Sequence, residues 1–161
     1  MRRISVGTLI MAIFLPLLVG GISAVLSAQG MAAYSNMHKP PLSPPPLVFT
    51  VAWTILYIMM GLASYFILVS EADNRSKAMA LILYTVQLAM NFMWSIMFFN
   101  WGIYLAAFVW LIIMWAIVIL CAYRFYSINS TATYLMIPYI AWLTFAAYLN
   151  MGAYLLNMDG K

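Results

Sequence analysis

The chain has 161 residues, of which 67% are hydrophobic and only 6% charged, and its net charge of +4 comes from 7 Lys+Arg against 3 Asp+Glu. A soluble domain carries about a quarter charged residues and a disordered chain is polar, so both classes are excluded. A nucleic-acid partner is excluded as well, because it requires a basic stripe that so few cations cannot form. Five apolar stretches, 4–26, 47–69, 78–99, 103–123 and 133–156, lie between the charges. Each is about 20 residues long, the length a helix needs to cross ~30 Å of hydrocarbon. Barrel strands would be shorter and alternating, and backbone groups in lipid must pair within their own segment. The expected fold is an all-α integral membrane protein: one domain over 1–161, built as a bundle of five transmembrane helices with a long Pro-rich loop between the first and second.

Arg2 and Arg3 precede the first segment in the manner of a signal peptide. That run is too long for a signal core, and Leu26 stands where cleavage near Ala28 would need a small residue, so it is expected to stay as a spanning helix. The connection 27–46 is the longest and holds Pro40, Pro41, Pro44, Pro45 and Pro46. Proline fixes φ and removes a donor, so an extended, stiff stretch is expected, either a rigid connector or a lid over the bundle opening. The links 70–77, 100–102 and 124–130 are short and imply antiparallel neighbours in an up-and-down bundle. Pro16 and Pro138 fall inside helices, which membranes tolerate. No internal repeat points to an inverted-repeat transporter.

Five spans place Arg2, Arg3, Arg75, Lys77 and Arg124 on one side and Lys39 and Lys161 on the other. The positive-inside tendency then predicts a cytoplasmic N-terminus in a bacterial cell membrane. It does not apply to the alternative location, a bacterial or mitochondrial outer membrane.

No Asp, Glu, Lys or Arg lies near the middle of a segment, which argues against proton relays and charge-coupled pumps. No paired carboxylates, nucleophile–His pair or Gly-rich phosphate loop is present. His38 and the single Cys121 are the obvious candidates for an axial haem ligand. They read instead as a loop histidine and helix filler, so no metal site and no required cofactor are expected.

Aromatic and amide stripes remain. Trp53, Tyr57 and Gly61 share a face of the second segment; Gln87, Asn91, Trp94 and Phe98 line the third; Pro138, Trp142, Phe145, Ala146 and Leu149, with Asn150 alongside, line the fifth. Such stripes serve helix packing, with amides as interhelical glue. They equally suit a flat apolar ligand stacked between aromatic walls and oriented by an amide.

At these residues the chain resembles the translocator protein / tryptophan-rich sensory protein family, the peripheral-type benzodiazepine receptors. Lys39-Pro40, Pro44-Pro45 and Trp53-Thr54-Ile55-Leu56-Tyr57 are similar to its first-loop and second-helix signature. Tyr84-Thr85-Val86-Gln87-Leu88-Ala89-Met90-Asn91 with Trp94 and Phe98-Phe99 resembles the third-helix one, and Pro138-Tyr139-Ile140-Ala141-Trp142 with Ala146 and Leu149-Asn150 the fifth. The likeness runs over about residues 34 to 150 and implies five helices, frequent dimerisation, and a pocket open on the first-loop side. Dimerisation rests on the resemblance alone, as no Gly-x-x-x-Gly pattern marks an interface.

By resemblance the pocket residues are Trp53, Tyr57, Asn91, Trp94, Trp142, Ala146 and Leu149, joined by Phe98 of the third stripe. Tyr34, Lys39, Pro40, Pro44 and Pro45 form the lid. The implied function is a membrane receptor or carrier for porphyrins and similar flat hydrophobic ligands, acting in tetrapyrrole handling or signalling. Two alternatives are a light-dependent porphyrin-degrading enzyme using Trp53 and Trp142 as redox-active walls, and a sterol- or lipid-binding transporter. The sequence departs from the family at Ala33, where a Trp-Tyr pair is usual, and at Leu42 and Leu47, where tryptophans are usual. Leucine cannot stack or donate an indole N–H. The sterol-recognition pattern has Leu149, Tyr154 and Lys161 in order, but the last spacing is one residue too long.

Overall fold

A computed structural model describes residues 5–157. The regular structure of its described residues is all helical, in six α-helices and one π-turn: α1 (Val6–Leu26), α2 (Ala28–Ser35), α3 (Pro46–Leu68), α4 (Asn74–Ser95) continued by the π-turn Ile96–Asn100, α5 (Tyr104–Tyr126) and α6 (Ser130–Leu156). Five of these, counting α4 with its π-turn as one, are long and apolar enough to cross a membrane. The spans sit within a few residues of the expected segments. Arg2, Arg3 and Lys161, on which the expected orientation and the sterol pattern partly rest, lie outside the described residues.

Local chemistry sets the helix ends. Pro46 starts α3 at a position where no intrahelical N–H is needed. Asp73 caps α4 by accepting from the Ser76 N–H at 2.9 Å, and Asn129 caps α6 by accepting from the Ala132 N–H at 3.2 Å. The Ser76 hydrogen bonds also hold the exposed Asp73 carboxyl below its usual pKa. At the far end of α4 the Trp101 N–H reaches back five residues to the Ile96 carbonyl, which makes the π-turn, and Gly102 with φ 61° reverses the chain.

One expectation needs correcting. The connection 27–46 is not a loop throughout, because Ala28–Ser35 forms α2. Its Ala, Gln and Met residues are good helix formers, and the extended stretch was expected only over 38–46, where the prolines lie. Residues 36–45 complete the connection outside regular helix.

The long helices close a ring in the order α1, α3, α6, α5, α4 and back to α1. Thus α3 packs mainly on α1 and α6 rather than on α4, its successor in the chain. The approach of α1 to α3 depends on glycine: a Cβ at Gly61 would lie 2.6 Å from the Ile13 Cα and 2.7 Å from the Ala12 carbonyl oxygen. α1 is the least buried span, and its packing along α3 makes it part of the bundle.

Candidate functional site

Three buried stripes meet inside the ring at its loop end. Trp53 stands at their centre, with ring centroids 5.5 Å from Tyr57, 6.1 Å from Tyr139, 6.2 Å from Phe49, 6.3 Å from Trp142 and 6.4 Å from Trp94. Trp94 stacks on Phe98 at 5.3 Å, and Tyr34 of α2 meets the edges of Phe98 and Phe99 at 5.2 and 5.8 Å. These distances lie within the range where aromatic pairs attract beyond their area burial.

The amides work behind the rings. Tyr57 donates its hydroxyl to Asn91 Oδ1 at 2.7 Å, and Asn91 Nδ2 donates to the Tyr139 hydroxyl at 3.2 Å. Trp94 Nε1 donates to Asn150 Oδ1 at 3.0 Å, and Asn150 Nδ2 donates to the Tyr104 carbonyl at 2.8 Å. Asn91 therefore ties α3, α4 and α6 together, and Asn150 ties α4, α5 and α6. For both, the interhelical role read from the stripes is the one in use. By contrast the indole N–H groups of Trp53 and Trp142 are buried without a partner.

A pocket of about 80 Å³ lies under the connection 27–46, lined by Trp94, Phe98, Ala146 and Leu149 from the bundle and by Tyr34, Lys39, Ser43 and Pro44 from above. The covering segment is tied down. Pro40 is buried against Gly152, the Tyr148 hydroxyl donates to the Pro41 carbonyl at 2.9 Å, and Asn157 Nδ2 donates to the His38 carbonyl at 2.9 Å. Lys39 Nζ sits 5.5 Å from the centre of the Tyr34 ring, a cation–π contact. Burial pushes the Tyr34 phenol pKa up. Residues 40–43 make a turn with Pro41 second and Leu42 third at φ 67°, closed by the Ser43 N–H and hydroxyl on the Pro40 carbonyl.

The expected site residues are thus brought to one end of the bundle but divided among its spaces. Trp94, Phe98, Ala146 and Leu149 face the pocket under the loop. Trp53 and Tyr57 face a crevice between α1 and α3, and Trp142 faces an outer groove between α3 and α6. Asn91 stands behind the rings. Pro45 follows Pro44 and leads into α3, outside the pocket lining. Leu42 and Leu47 point outward, 80% and 74% exposed. Three residues were missed by the sequence reading as site members: Phe49, Phe99 and Tyr139. Tyr139 was legible in principle, because it lies on the buried stripe Met136, Tyr139, Leu143, Ala146, Asn150 at steps of 3, 4, 3 and 4. Among the described residues no group of three or more His, Cys, Asp or Glu could hold a metal, and Cys121 is buried with its thiol toward the Ala80 carbonyl.

A model of the TspO/MBR family matches residues 12–155. The chain belongs to the TspO/MBR family. Among its relatives, the tryptophan-rich protein TspO of Chlorobaculum tepidum is 32% identical over 151 residues, covering 93% of this chain and 96% of the relative. The protein of the same name from Archaeoglobus fulgidus is 35% identical over 150 residues, covering 92% and 96%. The translocator protein of Ovis aries is 35% identical over 127 residues, covering 78% and 75%. Membership and the five apolar helices make this an integral membrane protein of the translocator and sensory type, and its aromatic cluster has the composition of a ligand site.

If the covering segment is held by the Pro40–Gly152 contact, Gly152→Val should release it. An added Cβ would lie 2.5 Å from the Pro40 Cβ, and overpacking of this kind costs about 1–3 kcal/mol. Amide hydrogen exchange over residues 36–43 is expected to rise roughly tenfold, with exchange in α5 unchanged.

Proposed function

We propose that this TspO/MBR member is a membrane receptor or carrier for porphyrins and similar flat hydrophobic ligands, bound among the rings around Trp53. The observation that carries the reading is that cluster itself: Trp53 has its ring centroid within 6.4 Å of five others from α3, α4 and α6, two of which, Phe49 and Trp94, line the pocket under the tethered loop. The 80 Å³ pocket is smaller than the ~300–1,000 Å³ typical of small-molecule sites. A tetrapyrrole must therefore displace rings, exchanging ring–ring contacts for ring–ligand contacts of similar worth. The unpartnered N–H groups of Trp53 and Trp142 supply donors for a ring nitrogen, a carbonyl or a π face of the incoming molecule.

Titration of the detergent-solubilised protein with protoporphyrin, followed by tryptophan fluorescence, tests the proposal. Saturable quenching near one equivalent is expected, and quenching that rises linearly without saturation would sink it.

Lys39 provides a finer test, being the one charged side chain on the pocket wall. Protoporphyrin carries two propionates, and its dimethyl ester carries none. Lys39→Met is expected to weaken the free acid roughly fivefold, as for loss of a partly exposed ion pair of about 1 kcal/mol, and to leave the diester unaffected. Raising the salt concentration should shrink the difference.

A further inference from the structure

We infer that the crevice between α1 and α3 is a second ligand site, which takes the neutral ester end of an acyl lipid from the bilayer. The two helices touch backbone to backbone where Gly61 meets Ala12 and Ile13, and Gly20 presses on the Tyr57 ring. Toward the loop end they part around a cavity of about 220 Å³. Phe49, Phe99 and Met31 line both this cavity and the pocket under the loop, and so stand between the two. The crevice opens past Gly21, Ala24, Thr50 and Thr54, all exposed on the outer surface of two spanning helices. Its entrance therefore faces lipid.

The wall holds polar groups with nothing to bind. Among the described residues six buried side-chain N or O atoms lack a hydrogen-bond partner, and three belong to this wall: Ser23 Oγ, Ser27 Oγ and Trp53 Nε1. The parent residues are 3%, 1% and 8% exposed. Serine and threonine in a spanning helix usually satisfy themselves on a carbonyl of the preceding turn. Thr50 and Thr54 do so, at 3.0 and 2.9 Å on the Pro46 and Thr50 carbonyls, whereas Ser23 and Ser27 do not. A hydroxyl on α1, a second one turn on at its C-cap and an indole across on α3 thus lack partners, and all three belong to residues that line the same space.

The chemistry of the wall selects the occupant. No charged side chain lines the crevice, so a carboxylate or ammonium would enter unpaired. An indole N–H can only donate and a hydroxyl can donate as well, which calls for an acceptor: a carbonyl oxygen on an apolar body. The volume holds several waters at ~30 Å³ each, or one ester group with the first part of its chain. The inference does not depend on the tetrapyrrole reading, though the two share the Trp53 N–H, a single donor that serves one ligand at a time.

Protein in nanodiscs of ether-linked lipid, which lack ester carbonyls, should be titrated with methyl oleate carrying ¹³C at the carbonyl. A hydrogen-bonded ester band, shifted to lower frequency and saturating near one equivalent per chain, is expected. Ser23→Ala with Ser27→Ala should weaken it at least tenfold. Gly21→Leu should also weaken it, since a Cβ there meets nothing within 4 Å and the larger side chain can fill the entrance without disturbing the backbone. No saturable band or equal affinity in the serine variant would overturn the proposal, and so would competition by 1-octadecene as effective as by unlabelled methyl oleate, which would make the crevice a site for hydrocarbon alone. Protoporphyrin titration of the same variants separates the two sites. Porphyrin binding is expected to persist in the serine variant, and an ester band in protein that binds no porphyrin would remove only the earlier reading.

Discussion

Replacing both Trp53 and Trp142 by phenylalanine is expected to weaken protoporphyrin binding by roughly 30-fold. Phenylalanine keeps an aromatic face at each position, so most stacking survives and the loss falls on the two indole N–H groups. Each is buried without a partner, so neither is needed for folding and both are free to serve a ligand. Two hydrogen bonds of ~1 kcal/mol each correspond to that factor. Thermal unfolding should fall modestly, because the smaller ring leaves a cavity at the buried Trp53 that outweighs the relieved desolvation cost of its unsatisfied donor. Fluorescence no longer reports fairly when tryptophans are removed, so affinity is best read from the porphyrin Soret absorbance. Unchanged affinity would confine these rings to packing. Illumination of the same complexes addresses the enzymatic alternative: porphyrin bleaching no faster with the native protein than with the double variant would leave a binding protein only.

Gly61→Val is expected to cost about 1–3 kcal/mol of stability, the range for overpacking a well-packed site. The atoms that an added Cβ would meet, Ile13 Cα and the Ala12 carbonyl oxygen, belong to the α1 backbone and cannot rotate aside. The helices must separate, and van der Waals contact is what holds apolar helices together in lipid. Gly21→Ala is the matched control, since nothing lies within 4 Å of that Cβ. Unfolding in increasing sodium dodecyl sulfate should show Gly61→Val shifted to lower detergent and Gly21→Ala coincident with the native chain. Coincidence of all three would mean that the α1–α3 approach carries no stability.

The comparison of sequence with structure follows hydrophobic physics. The five spans were legible because lipid requires long runs without charge, and that requirement acts on residues close together in the chain. The helix faces were legible in α4, where Gln87, Asn91, Trp94 and Phe98 are all buried. They were misjudged in part in α6, where Ala146, Leu149 and Asn150 are buried but Pro138 is exposed, Trp142 and Phe145 are half-buried on the outer groove, and the buried stripe runs through Met136, Tyr139 and Leu143. Helical spacing gives a face but not its direction, and in lipid both faces are apolar. The helix α2 was hidden by the weight of the prolines that follow it.

What the sequence determined by itself is the class: an all-helical membrane protein, its five spans, the absence of charge inside them, and the tryptophan signatures that matched the family. Which rings meet, that Asn91 and Asn150 are committed to neighbouring helices while two indoles and two serines are not, and that the expected site is divided among a covered pocket, a crevice and a groove were decided only in the tertiary structure. The physical reason is that hydrogen-bond satisfaction depends on partners contributed by helices far apart in sequence. Asn91 is 34 residues from Tyr57 and 48 from Tyr139, and no pattern within one segment reports whether such partners arrive.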